Sequence, residues 1–284
     1  MFAVLQTEET RRAGIFGRLL DRIKPLRAES RMAEGFGTRY QQITAVYRAT
    51  GELDWEDILQ AAGGNRTRMV LPRGLELPEG VPIQRYEPTL FLEQVLVHTA
   101  AQILDKCRLQ PYRKVAGLID WEGNYLSAAH RLVMHSSVLK VLTGSADRYE
   151  TFARQMLELY GAPVVLCDRL ESLEESVLIL SPGSFCSREP VCLQGPVLAG
   201  GEQQLAGRCQ VVDRFLLSYP PALGQDIPRG IAPIDLLGAF YEHNGIRELE
   251  QLLPAGGYCG TNLVTLSDII AYVEEKMIKQ TARS

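Results

Sequence analysis

The chain has 284 residues, 46% of them apolar, which is enough to bury the core of one large domain or two smaller ones. A formal charge of only −4 gives no basic field for nucleic acid, and no apolar run approaches the ~20 residues that span a bilayer. The six cysteines (Cys107, Cys167, Cys186, Cys192, Cys209 and Cys259) form no C-x-x-C pair, so they read as buried thiols of a reducing cytoplasm and not as a disulfide frame or a zinc site. The apolar start at Met1–Leu5 is too short for a secretory signal, and cytoplasmic localisation is expected.

Two parts are expected, residues 1–110 as an N-terminal helical or mixed domain with a linker, and 111–284 as a second domain with C-terminal helices. The opening is basic, with nine Arg or Lys against five Asp or Glu between Met1 and Arg48. Ile15, Leu19, Leu20 and Ile23 mark one face of a helix over 9–24 that Pro25 stops. That face is small and broken by Gly14 and Gly17, so it suits packing on its own domain or on a second subunit of a homodimer better than a membrane surface. Residues 40–50 and 54–62 read as two short helices, and 69–72 as a short strand. Four prolines and two glycines between Pro72 and Pro88 predict a loop. Residues 90–106 place Leu92, Val95, Leu96, Ala100 and Ile103 at helical spacing.

From Lys114 a unit repeats. Val115–Ile119 is an uninterrupted apolar run, as in a strand covered on both faces, and a helix over 124–136 follows. Val138–Leu142 is a second strand. A helix over 147–160 carries Tyr149, Phe152, Ala153, Met156, Leu157 and Tyr160 as its inward stripe, with Asp147 and Glu150 as a capping pair and Gly161 as the left-handed stop. Strands over 163–167 and 177–180 come next. This alternation implies right-handed crossovers, hence an α/β fold with a doubly wound, mostly parallel Rossmann-like sheet and a smaller N-terminal mixed α/β domain. Beyond it, 191–193 and 210–217 read as strands, 234–241 and 246–253 as helices, and 254–260 as turns. Thr265 with Asp268 is a capping box that opens a last helix to about Lys279.

The stretch "LKVLTGSADRYETFARQMLELYGAPVVLCDRLESLEESVLILSPG" resembles the nicotinamide-binding domain of the shikimate dehydrogenase and glutamyl-tRNA reductase type, over residues 114–183 in all. The resemblance implies NAD or NADP as cofactor, Gly144, Ser145 and Arg148 beside the adenosine ribose, and Pro182 and Gly183 near the nicotinamide edge. The family's glycine-rich first turn is absent. Asp120, Trp121, Glu122, Gly123, Asn124 and Tyr125 stand in its place, and bulk with negative charge there opposes a diphosphate.

Ligands settle beyond the carboxyl ends of the strands where strand order reverses, which here gathers Asp120, Gly123, Gly144, Ser145 and Pro182, with Asn124 and Gly183 beside them. Asp120 and Glu122 suit a hydroxylated or cationic ligand or a divalent metal, or else Asp120 caps the following helix and Glu122 is a solvated acid. No metal site is assigned. His130 and His135 lie five apart, on different sides of a helix, and do not share a metal. Cys186 follows a strand end but has no recognisable base partner, and no catalytic residue is named. Two functions remain. One is a degenerate Rossmann-like protein that binds a small-molecule ligand, senses, or assembles, and the other is an NAD(P)-dependent oxidoreductase with an atypical cofactor site. A methyltransferase is disfavoured, since strand two ends in Thr143 and Gly144 and not in a ribose-holding acid.

Overall fold

The computed structural model describes residues 2–9, 16, 19, 23, 26–35, 37–64, 67–219, 227–244 and 252–281. In chain order the elements are β1 (Ala3–Glu8), β2 (Glu29–Gly35), β3 (Thr38–Val46), α1 (Trp55–Ala61), β4 (Thr67–Val70), β5 (Ile83–Arg85) and α2 (Thr89–Lys106). Then come β6 (Val115–Ile119), α3 (Leu126–Val133), β7 (Val138–Leu142), α4 (Ala146–Tyr160), β8 (Val164–Cys167) and β9 (Leu178–Ser181). The chain continues with β10 (Phe185–Cys192), β11 (Val197–Ala199), β12 (Gln203–Arg208) and β13 (Val211–Ser218). It closes with α5 (Pro233–Asn244), β14 (Leu253–Cys259), β15 (Asn262–Thr265) and α6 (Leu266–Thr281).

The chain falls into two compact units, Met1–Phe91 with Tyr219–Glu248, and Leu92–Ser218 with Leu249–Ser284. The division differs from a single break at 110/111 in that a late segment, with α5, returns to the first unit. That segment supplies a cover the first sheet needs. In the order β2-β3-β1-β4-β5, the sheet alternates its side chains between two cores. Phe2, Val4, Tyr40 and Val70 pack with Leu236, Ala239 and Phe240 of α5, whereas Ala3, Leu5, Ile43 and Met69 pack with Ile58 of α1. Phe2 stacks on Tyr40, and Phe240 meets both rings edge-on.

Several expectations for this unit change. Residues 40–50, read as a helix, hold most of β3, which pairs with β1 in parallel and with β2 in antiparallel register. Between two strands and under helices on both faces, β3 shows no clean alternation of apolar and polar residues, which hid it. The proline-rich loop contains the short strand β5, paired with β4. Of the helix over 9–24, Glu9 is described as exposed and outside any element, Phe16, Leu19 and Ile23 as helical and exposed, and the rest lies outside the described residues. The helix over 246–253 also lies outside them, except that Leu252 precedes and Leu253 opens β14.

The second unit is built on an eight-stranded sheet in the order β15-β14-β13-β11-β9-β6-β7-β8. From β8 to β13 every pair is parallel, and β14 and β15 extend the sheet in antiparallel register. Taken from β8 to β13, the six parallel strands have the doubly wound 3-2-1-4-5-6 order, so the fold is α/β and Rossmann-like. Helices α3 and α4 serve the first two crossovers. The later connections hold no α-helix: a 3-10 turn over Leu170–Leu173 leads to β9, and β10 and β12 pair with each other as a separate two-stranded parallel sheet. Val191 and Leu193, at and just beyond the end of β10, pack with Leu170 and Leu173 of a 3-10 turn and with Ile119, Leu142, Ile179 and Val197.

Strands β6 and β7 have the bounds the apolar runs predict. Helix α4 ends on Gly161 at φ 63°, as expected, but its N-cap is Ser145 with no side-chain cap bond, and Asp147 with Glu150 forms no cap. Its stripe also shifts: Tyr149 and Met156 are buried and Phe152 only half-buried, while Leu157 and Tyr160 are exposed. The helix has 15 residues, roughly 22 Å, and outruns the short strands it covers. Residues 254–260, read as turns, belong mostly to β14. Its Gly256 lies so close to β15 that a Cβ would fall 2.1 Å from the Val264 carbonyl oxygen, which explains the glycine and hid the strand. Among the described residues no helix is long and apolar enough to cross a membrane.

Candidate functional site

Strand order reverses between β6 and β9, and a cleft of about 710 Å³ opens beyond the carboxyl ends of these strands. One wall is the turn from Asp120 to Tyr125, and the other runs from Gly183 along β10 to Glu189. Leu142 of β7 and Asp168 and Leu170 beyond β8 line its inner side.

The first turn is held by the strand-end acid. Asp120 is 2% exposed, and its carboxylate accepts the Asn124 N–H at 2.9 Å, the Tyr125 N–H at 2.8 Å and the Tyr149 hydroxyl at 2.5 Å. Tyr149 is fully buried, and its phenol is pushed well above its ordinary 10.0 by burial first, then by the hydrogen bond to Asp120 and that carboxylate's charge. In a dinucleotide-binding turn the N–H groups that lead into the helix face the diphosphate. Here a carboxylate of the chain itself holds them.

The group that holds this position is therefore Asp120. The sequence pointed to Trp121 and Glu122 as the groups at that position, but Trp121 packs on Gly144, beyond the end of β7. Its carbonyl accepts the Gly144 N–H at 3.0 Å, and its indole lies so close to Gly144 that a Cβ there would be 2.9 Å from Cε2. The ring remains 48% exposed, on the cleft wall, with Phe185 6.5 Å away between centroids.

The eight residues expected at the site divide into three groups. Asp120, Asn124 and Gly183 line the cleft. Gly123, Gly144, Ser145 and Arg148 gather around the turn without lining it. Arg148 Nη1 donates to the Gly123 carbonyl at 3.1 Å and to Asn124 Oδ1 at 3.3 Å, and the backbone N–H of Ser145 donates to Thr143 Oγ1. Pro182 lies outside the lining, with Gly200 packed so tightly that a Cβ would be 2.4 Å from its carbonyl oxygen. Asp120 and Gly144 are neighbours across β6 and β7, since Asp120 N–H donates to the Leu142 carbonyl at 2.9 Å.

Sequence reasoning did not name Asp168, Phe185, Arg188 or Glu189. Asp168 follows directly on the end of β8, so the rule that ligands sit beyond strand ends could have found it. The others depend on β10, whose register shifts between Ser187 and Val191, and this bulge holds Arg188 and Glu189 at the cleft. Behind it, Ser181 Oγ donates to Gln203 Oε1 at 3.0 Å, and Gln203 Nε2 donates to the Gly183 carbonyl at 2.8 Å, tying the second wall to β12. Cys186 lines the cleft with Gln204 Oε1 3.6 Å from its sulfur. Among the described residues no group of three His, Cys, Asp or Glu is placed to hold a metal ion.

No protein-family model matches the chain, and no curated protein matches it. Solved structures give distant likenesses. L-tryptophan dehydrogenase from Nostoc punctiforme is 13% identical, with 100% of this chain and 89% of that one covered, at a TM-score of 0.34. Delta(1)-pyrroline-2-carboxylate reductase from Thermococcus litoralis, solved with NADH and L-proline, is 14% identical over 67% of this chain and 66% of its own, at 0.29. A lysine cyclodeaminase is 13% identical over 94% and 70%, at 0.28. The Rossmann-like assignment rests on strand order alone.

Proposed function

We propose that this protein is a small-molecule binding component, a sensor or assembly factor, whose Rossmann-like sheet no longer receives a dinucleotide. The carrying observation is the Asp120 carboxylate on the N–H groups of Asn124 and Tyr125, with Tyr149 as its third partner. A diphosphate would have to displace a buried, hydrogen-bonded carboxylate and then lie beside it, losing donors and gaining repulsion together. An NAD(P)-dependent oxidoreductase of the shikimate dehydrogenase or glutamyl-tRNA reductase kind needs those same donors. NAD and NADP therefore do not fit this turn, while the cleft beside it has the volume of a small-ligand site.

Isothermal titration with NADH and NADPH tests the reading. No saturable heat up to ~1 mM of either is expected, and a dissociation constant in the low micromolar range would move the protein to the oxidoreductase class.

A further inference from the structure

The chemistry of the cleft narrows its ligand, on the premise that the cleft and not the old phosphate position is the binding site. An anion finds little there. The N–H groups at the mouth of α3 are taken by Asp120, and among the described residues Arg188 is the single cationic side chain in the lining. Against it stand three further acids, Glu122, Asp168 and Glu189, each exposed and each from a different segment: the first turn, the end of β8 and the β10 bulge. In the same lining Trp121 presents a half-exposed indole with the Phe185 ring beside it. An indole face attracts a cation through its quadrupole, and carboxylates around it add a field of the same sense.

We propose that the cleft takes a small organic cation, an amine, amidine or guanidine carrying an apolar or aromatic portion. The charged head meets Glu122, Asp168 and Glu189, and the apolar body lies against Trp121, Phe185 and Leu170.

The test uses three probes of one shape and different charge: benzamidine, benzamide and benzoate. Trp55 and Trp121 are the two tryptophans, so Trp55→Phe in the other unit leaves Trp121 as the sole tryptophan emitter. Saturable quenching by benzamidine is expected, with benzamide about tenfold weaker and benzoate weaker still, and the preference should shrink as salt rises. In the full chain carrying Glu122→Gln with Asp168→Asn, both exposed and tolerant sites, benzamidine should weaken by roughly fivefold or more while benzamide is unchanged.

Equal affinity for the three probes, tighter binding of benzoate, no saturation by benzamidine at ~10 mM, or no effect of the double substitution would each overturn the proposal. A parallel NADH titration separates the two readings. Failure of benzamidine with NADH also silent removes only the cation, whereas tight NADH binding removes the premise.

Discussion

Two helix starts in the second unit use the same chemistry with opposite consequences. At α6 the capping box closes locally: Thr265 N–H donates to Asp268 Oδ2 at 2.8 Å, and Asp268 N–H donates back to Thr265 Oγ1 at 3.2 Å. All of it lies in solvent within four residues. Before α3 the acid comes from the end of β6, is buried, and draws its third partner from α4, 29 residues away. The first arrangement closes the start of its helix with groups only three residues apart. The second holds the N–H groups that face a diphosphate in dinucleotide-binding turns, and in the function proposed above this cap acts as a plug.

The largest expected effect separates these two starts. Asp120→Ala leaves two N–H groups and a buried phenol without an acceptor and should cost about 3 kcal/mol or more in urea unfolding, far above Asp268→Ala. Comparable losses for the two variants would erase the distinction between plug and cap.

Tyr149→Phe removes one hydrogen bond to a buried carboxylate and should cost ~2 kcal/mol, with a double-mutant cycle against Asp120→Ala showing strong coupling. Because the folded phenol is raised above its ordinary 10.0, the unfolded chain loses this proton first. Stability from Tyr149 is thus complete below about pH 10 and declines as pH rises beyond it, and Tyr149→Phe should flatten that alkaline decline. An unchanged alkaline limb would show that the phenol does not hold Asp120.

The turn geometry gives a smaller test. Gly123 has φ 72°, and a Cβ there would be 2.8 Å from Arg148 Cδ, whereas Gly161 at φ 63° has open space. Gly123→Ala should therefore cost about 2 kcal/mol and Gly161→Ala about 1 kcal/mol by chemical denaturation. Equal losses would mean that Arg148 does not brace the turn.

The smallest effect belongs to the exposed cap. The Thr265 hydroxyl and backbone N–H hold Asp268 below its ordinary 3.8. Its contribution is present above that value and is lost as pH falls through the lower folded value, so Asp268→Asn should slightly flatten the acid limb of stability against pH. A larger loss of stability at neutral pH for Asp268→Asn than for Asp120→Ala would invert the comparison.

The amino-acid sequence by itself determined whatever short-range chemistry decides. Apolar runs set β6 and β7, Gly161 set the end of α4, Thr265 with Asp268 set the start of α6, and strand–helix alternation implied the parallel doubly wound sheet. Each of these rests on contacts within a turn or on a period along one segment. Tertiary structure alone decided the rest. Residues 40–50 carry no period that reveals a strand covered on both faces, and Gly256 looks like a turn until the carbonyl of Val264 is seen against it. The site followed the same division. Asp120, Asn124 and Gly183 were reachable by the rule that strand ends bind, but the closed cradle needed Tyr149, whose place on a helical stripe says only that it is buried. What its hydroxyl meets depends on α4 lying across the end of β6, and that juxtaposition exists only once the crossovers have packed.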